Sequence, residues 1–115
     1  MKSSGALFLV LFISFSVAAD TSSEIDHLLH FVATTYCKYE RNGELHSGTE
    51  AVKHIEKKYG YYRDDIETTE DFVKYSATKS KISGNHYQIH CKNQPAVKSS
   101  TWLLSELDRH RASRK

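Results

Sequence analysis

Several kinds of residue and pattern are scarce in this chain, and each scarcity narrows what it can be. Pro95 is the only proline among 115 residues, and there is no internal repeat or low-complexity stretch, so linkers and repeat architectures drop out. Two cysteines occur, Cys37 and Cys91, and they do not form a C-x-x-C pair, which argues against a redox-active dithiol. Neither sign of charge dominates. The 16 Lys and Arg against 14 Asp and Glu leave a net charge of +2, which gives no electrostatic basis for binding nucleic acid. After the first apolar run no second one is long enough to cross a bilayer, so no transmembrane segment is expected in the mature chain.

Catalytic signatures are missing too. There is no H-E-x-x-H, no C-x-x-C…H ligand set and no G-x-S-x-G elbow. Ser76-Ala77-Thr78-Lys79 matches the S-x-x-K spacing of penicillin-recognising enzymes. The S-D-N and K-T-G elements of that machinery are absent and the chain is far too small for it, so the match is read as chance. Seven histidines invite a metal, but His27 with His30 on a helix and His86 with His90 on a strand face each supply only two ligands. No metal and no cofactor are expected.

What is present begins at the N-terminus. Lys2 precedes an apolar run from Ala6 to Phe15, followed by Ser16-Val17-Ala18-Ala19 and Asp20. A basic start, an apolar middle too short to span a membrane and small residues before a polar break read as a secretory signal peptide over residues 1–19, cleaved after Ala18 or Ala19. No cysteine follows the run, which argues against a lipid-anchored N-terminus. Residues 20–115 then form a single α+β domain working outside the cytoplasm, where Cys37 and Cys91 are expected to oxidise to a disulfide. A domain of this size buries only about 60–65% of its unfolded surface. Closing a loop of about 55 residues is worth roughly 4 kcal/mol in the loop-entropy estimate.

Periodicity gives four helices and three short strands. Ile25, Leu28, Leu29 and Val32 form one helical stripe, capped by Ser22 or Ser23. Residues 35–40 alternate, with Thr35, Cys37 and Tyr39 on one face. Asn42-Gly43 marks a tight hairpin, with Leu45-His46-Ser47 as the return strand. Ser47-Gly48-Thr49-Glu50 reads as a capping box for a helix burying Ala51, Val52, Ile55 and Tyr59 and ending at Gly60. Thr68 caps a third helix anchored by Phe72 and Val73, whose small Ser76 and Ala77, with Ser80 beyond them, permit close approach of another backbone. Ser83-Gly84-Asn85 breaks the chain before a strand from His86 to Cys91. Ser99 or Ser100 caps a last helix with Trp102, Leu103, Leu104 and Leu107 inward. The expected architecture is a small three-stranded antiparallel sheet with an N-terminal hairpin, packed against about four helices. The basic tail from Arg109 to Lys115 suits the negative end of a helix dipole, or a weak grip on anionic envelope polymers or lipid.

The stretch from Arg41-Asn42-Gly43 through Ser47 and Glu50-Ala51 to His54, continued by Lys58-Tyr59, resembles the signature of the YfeK-like family of small exported bacterial proteins. Ile66-Glu67-Thr68-Thr69-Glu70-Asp71-Phe72, Ser83-Gly84, Tyr87 and Ser99 to Leu103 follow in the same order. The resemblance implies a Gram-negative envelope protein, periplasmic, in a domain family of unknown function, and it carries no catalytic residues.

The residues themselves offer two candidate clusters. Glu50 and His54 are i, i+4 neighbours, with Lys58 one turn on and Arg41 in the preceding hairpin. That row suits an anionic or polyhydroxyl ligand, or an acid–base pair; the plainer reading gives Glu50 to the capping box and leaves His54 beside the apolar stripe. Tyr59, Tyr61 and Tyr62 lie beside Arg63, a mix suited to sugars or peptides, or to ordinary packing. The candidate binding residues are therefore Arg41, Glu50, His54, Lys58, Tyr61 and Tyr62. The first functional reading is a non-enzymatic binding module for an envelope protein, peptide or glycan; the alternatives are a small hydrolase or lyase using His54 with Glu50, and a structural protein without a ligand. Export predicts that the chain recovered from the periplasm starts at Ala19 or Asp20 by intact-mass measurement, whereas an unprocessed cytosolic chain with both thiols titratable would contradict it.

Overall fold

The computed structural model describes residues 20–114. The expected leader over residues 1–19, with its cleavage after Ala18 or Ala19, lies outside the described residues. Helix α1 covers residues 20–33. Strand β1 is Lys38–Arg41 and β2 is Glu44–His46. Helix α2, Gly48–Tyr61, is followed by a 3-10 turn at Arg63–Asp65 and by α3, Thr69–Ser76. Strands β3, Gln88–His90, and β4, Val97–Lys98, precede α4, Ser99–Ser113. Over the described residues the protein is α+β, with four helices and a four-stranded antiparallel sheet in the order β2-β1-β3-β4.

The hairpin forms as its turn residues dictate. Asn42 and Gly43 take φ of 53° and 82°, the left-handed pair that matches the twist of the flanking strands, and Arg41 pairs with Glu44. The capping box at Ser47 and Glu50 is complete, and Thr68 makes a second one with Asp71. Gly48 starts α2 where the chain passes the end of α1; a Cβ there would meet the Val32 carbonyl oxygen at 2.2 Å, so only glycine permits this approach.

One face of the sheet is buried under the helices. Tyr39 and Ile89, paired across β1 and β3, point into a core with Leu28, Ile55, Phe72, Leu103 and Leu107. Glu40 and His90 lie on the other face and meet at 2.6 Å. The disulfide joins Cys37 to Cys91 one position beyond the Lys38–His90 pair, with Cα atoms 4.4 Å apart. Buried Ser99 ties α4 to the sheet: its amide donates to the Tyr87 carbonyl at 2.8 Å, and its hydroxyl hydrogen-bonds Tyr39.

Five details depart from the sequence expectations. The sheet has a fourth strand, Val97–Lys98, too short to carry any alternation of its own. The first helix already includes Asp20, so Ser22 and Ser23 lie within it rather than capping it; Arg114 holds Asp20 at 2.9 Å. Gly60 does not end α2, because the ladder runs on to the Tyr62 amide, which donates to Lys58, and Tyr62 turns the chain without a left-handed residue. Helix α4 begins at Ser99 with Lys98 as its N-cap residue and no side-chain cap, since Ser99 is committed to Tyr39 and Tyr87. Leu104 is 38% exposed, because Leu103, Leu107 and Glu106 occupy the inward face.

The arginines of the basic tail are largely exposed, but each of them is paired with a carboxylate. Arg111 bonds Glu24 at 2.8 and 3.0 Å and Glu70 at 2.8 Å, Thr69 donates to Glu24 at 2.6 Å, and Arg109 clamps Glu106, which also meets His27 at 2.7 Å. The Arg111 guanidinium holds the Glu24 carboxyl at about 2, and Arg109 does the same for Glu106. Replacing both Cys37 and Cys91 by serine is expected to cost about 2–4 kcal/mol in urea unfolding, matched by reductant on the native protein. An unmoved midpoint would show that the bridge constrains nothing the rest of the fold does not already hold.

Candidate functional site

The hairpin, the C-terminal half of α2 and the segment from Ser80 to Tyr87 enclose a cleft of about 350 Å³. Arg41 reaches it from the end of β1, His54, Lys57 and Lys58 from one side of α2, and Tyr61 and Tyr62 from that helix's last turn and cap. Spacings of three and four residues bring His54, Lys57, Lys58 and Tyr61 to one helix face. Buried Tyr87 belongs to the lining; its hydroxyl accepts from Lys58 Nζ at 3.2 Å and lies 3.3 Å from His54 Nε2. Lys58 also donates to the Lys79 carbonyl at 2.9 Å, which ties α2 to the far wall.

The far wall is a loop closed on itself. Ser80 accepts from the Gly84 amide and donates its own amide to Asn85, both at 2.9 Å, and Gly84 takes a φ of 76°. Asn42 at the hairpin tip accepts from the Ser83 hydroxyl at 2.8 Å, so hairpin and loop hold each other. Lys81 then sits 5.6 Å from the ring centre of Tyr61 and 5.5 Å from that of Tyr62. Tyr62 stacks in turn on Tyr75, at 5.5 Å.

The lining is basic and aromatic. Four cationic side chains (Arg41, Lys57, Lys58 and Lys81) line the cleft, and among the described residues no carboxylate does. Among the described residues none of these four makes an ion pair, while the tail arginines are all engaged. Burial together with Arg41, Lys58, Lys57 and His46 lowers the His54 imidazole to about 4, so it is neutral at physiological pH. Burial, with Arg41 and Lys81, also pushes the Lys58 ammonium down from its ordinary value. A second cleft of about 400 Å³ shares Lys58, Tyr62 and Lys81 with the first and adds Lys74, Lys79 and His86.

Five of the six residues picked from the sequence, Arg41, His54, Lys58, Tyr61 and Tyr62, thus line one cleft. Glu50 does not. Its carboxylate accepts from the Ser47 amide at 3.1 Å and lies 3.7 Å from His46. Tyr59 turns inward onto Phe72 at 5.2 Å, with the Arg63 guanidinium 4.7 Å from its ring centre. Lys57, Lys81 and Tyr87 were missed as site residues. Lys57 carried a helical-spacing signal, whereas Lys81 is brought here only by the fold of its loop. Of the histidines, His27 pairs with Glu106 and His90 with Glu40, while His30 and His86 are exposed.

Residues 19–111 match a family described as "Family of unknown function (DUF5329)", and the chain belongs to that family. It is 35% identical over 83 residues to "Uncharacterized protein YfeK" of Salmonella typhimurium strain LT2, an alignment covering 71% of this chain and 69% of that protein. No solved structure matches it significantly.

The depressed His54 value fixes the sign of a pH effect. The unfolded chain takes up this proton near pH 6.5 and the folded one at about 4. His54's contribution to stability is therefore complete above pH 6.5 and is lost as pH falls toward 4. Glu24 and Glu106 act in a lower window, with stability present above about 4.5 and lost toward 2. NMR titration should find His54 neutral at pH 5.5, and His54→Asn should flatten the upper part of the acid limb without changing the lower; a His54 midpoint near 6.5 would contradict the arrangement.

Proposed function

We propose that this protein is an exported, non-enzymatic binding module of the bacterial envelope, with residues 20–115 as one domain, and that its cleft takes an anionic group. The observation that carries this reading is the set of four cations beside Tyr61 and Tyr62 that have no ion-pair partner among the described residues. Holding like charges together costs free energy unless a ligand of opposite sign neutralises them, and a partly enclosed site strengthens that attraction over its value in water. Neutral His54 and the Tyr87 hydroxyl add polar partners for the ligand's oxygens. Envelope components that carry carboxylates or phosphates meet this chemistry.

The disulfide and the lack, among the described residues, of a helix long and apolar enough to cross a membrane are compatible with residence outside the cytoplasm. Binding is favoured over acid–base chemistry because Glu50, the acid of that alternative, is engaged at the helix N-terminus outside the cleft.

Inorganic phosphate and a short oligogalacturonate are expected to shift the NMR signals of His54, Tyr61 and Tyr62. The paired substitution Arg41→Gln with Lys57→Gln should weaken both ligands by roughly tenfold. Neutral oligosaccharides that shift the same signals as strongly, or anions that shift none of them, would refute an anion site.

A further inference from the structure

One feature of the cleft's rim has no use in capturing a soluble anion. Ile82 lines the mouth of the cleft and is 99% exposed, with Lys81 beside it in sequence. Single exposed apolar residues are common on protein surfaces. This one is held outward by a braced turn: the Ser83 amide donates to the Ser80 hydroxyl at 3.3 Å, and the Ser83 hydroxyl donates to Asn42. Tyr61, on the same cleft, is 75% exposed and carries a ring with a polar tip, the side-chain type that settles at a membrane–water boundary. Around these two lie Arg41, Lys57, Lys58 and Lys81, and the adjoining cleft adds Lys74 and Lys79.

We infer that this face docks on an anionic phospholipid surface, with a lipid phosphate in the cleft and Ile82 and Tyr61 inserted among the headgroups. The inference rests on the anion-binding reading and specifies the bearer of the anion. Charge complementarity chooses the occupant: the clefts bring cations without a lining carboxylate, and an anionic leaflet attracts each such cation within a Debye length. The apolar tip supplies what charge alone lacks, a part of the surface that gains by leaving water. An acidic oligosaccharide or peptide would use the lysines and tyrosines and leave Ile82 in solvent.

The test is co-sedimentation of the full chain, as cells produce it, with vesicles of phosphatidylcholine alone or with about a third phosphatidylglycerol. Any contribution of the N-terminal segment and its Lys2 is common to every variant, so the loss on changing Ile82 reports this face. Anionic vesicles should bind more tightly, by roughly fivefold for each cation engaged, and salt should weaken the binding. Ile82→Ser should lose about tenfold of that affinity. The exposure of Ile82 makes folding insensitive to the change, which thermal unfolding checks. Ile82→Ser should leave phosphate and oligogalacturonate binding intact. Equal binding to both vesicle types, or an Ile82→Ser variant that binds anionic vesicles like the native chain, overturns the lipid assignment. If soluble anions still bind in that case, the cleft keeps its anion function; if they also fail, both readings fall. Poly-glutamate captured as tightly as anionic vesicles, with no dependence on Ile82, would assign the face to an acidic peptide instead.

Discussion

The pairing of β3 with β1 is the interaction on which the rest depends. It joins Lys38 to His90 and Tyr39 to Ile89, segments about fifty residues apart, and everything between them must close back on the sheet. Such a long closure costs chain entropy that no local contact recovers. The Cys37–Cys91 bridge sits directly beyond the last ladder pair and reduces that cost in the unfolded chain. Tyr87, immediately before β3, brings the consequence to the cleft: its backbone carbonyl receives Ser99 from α4, and its hydroxyl receives Lys58 from α2. The same residue therefore anchors the last helix and takes part in the candidate site.

Charge is distributed between the two ends of the molecule in opposite ways. Around α4 every arginine from Arg109 to Arg114 has a carboxylate, Arg109 within the helix and Arg111 and Arg114 on α1, and Glu24 serves Arg111 and Thr69 together. Buried carboxylates with bidentate arginine partners are in the geometry that most strongly favours the ionised pair. At the cleft the cations have no carboxylate partners among the described residues. A chain with nearly balanced charge thus has a localised positive face because, among the described residues, no acidic side chain lines the cleft. Net charge alone could not reveal that, since it sums over both ends.

Much of the local structure was legible in the sequence. Asn42-Gly43 specified the hairpin because few residues tolerate positive φ, and the Ser47 capping box and the Thr68 cap specified the starts of α2 and α3 because the side chains and amides they pair are three residues apart. The apolar spacing of Ile25, Leu28 and Val32 identified the buried stripe of α1. Boundaries were less legible where tertiary contacts override propensity: Asp20 is held by Arg114, and Ser99 is turned from a cap into a buried contact with the sheet. The cleft was read in part, since His54, Lys58 and Tyr61 share one helix and Arg41 precedes it closely, but Glu50 was grouped with them by spacing while its carboxylate serves the helix start.

By itself the sequence determined what short-range geometry controls: the turn, the caps, the helix stripes and the opportunity for a sulfur bridge. Only the tertiary structure decided that β4 would extend the sheet, that the arginine tail would be neutralised by α1 and α3, and that Lys81 and Ile82 would stand across from α2. The physical reason is the same in each case. These contacts join residues separated by many positions, and their partners are selected by which surfaces remain unburied after the core has formed, a quantity that no local spacing encodes.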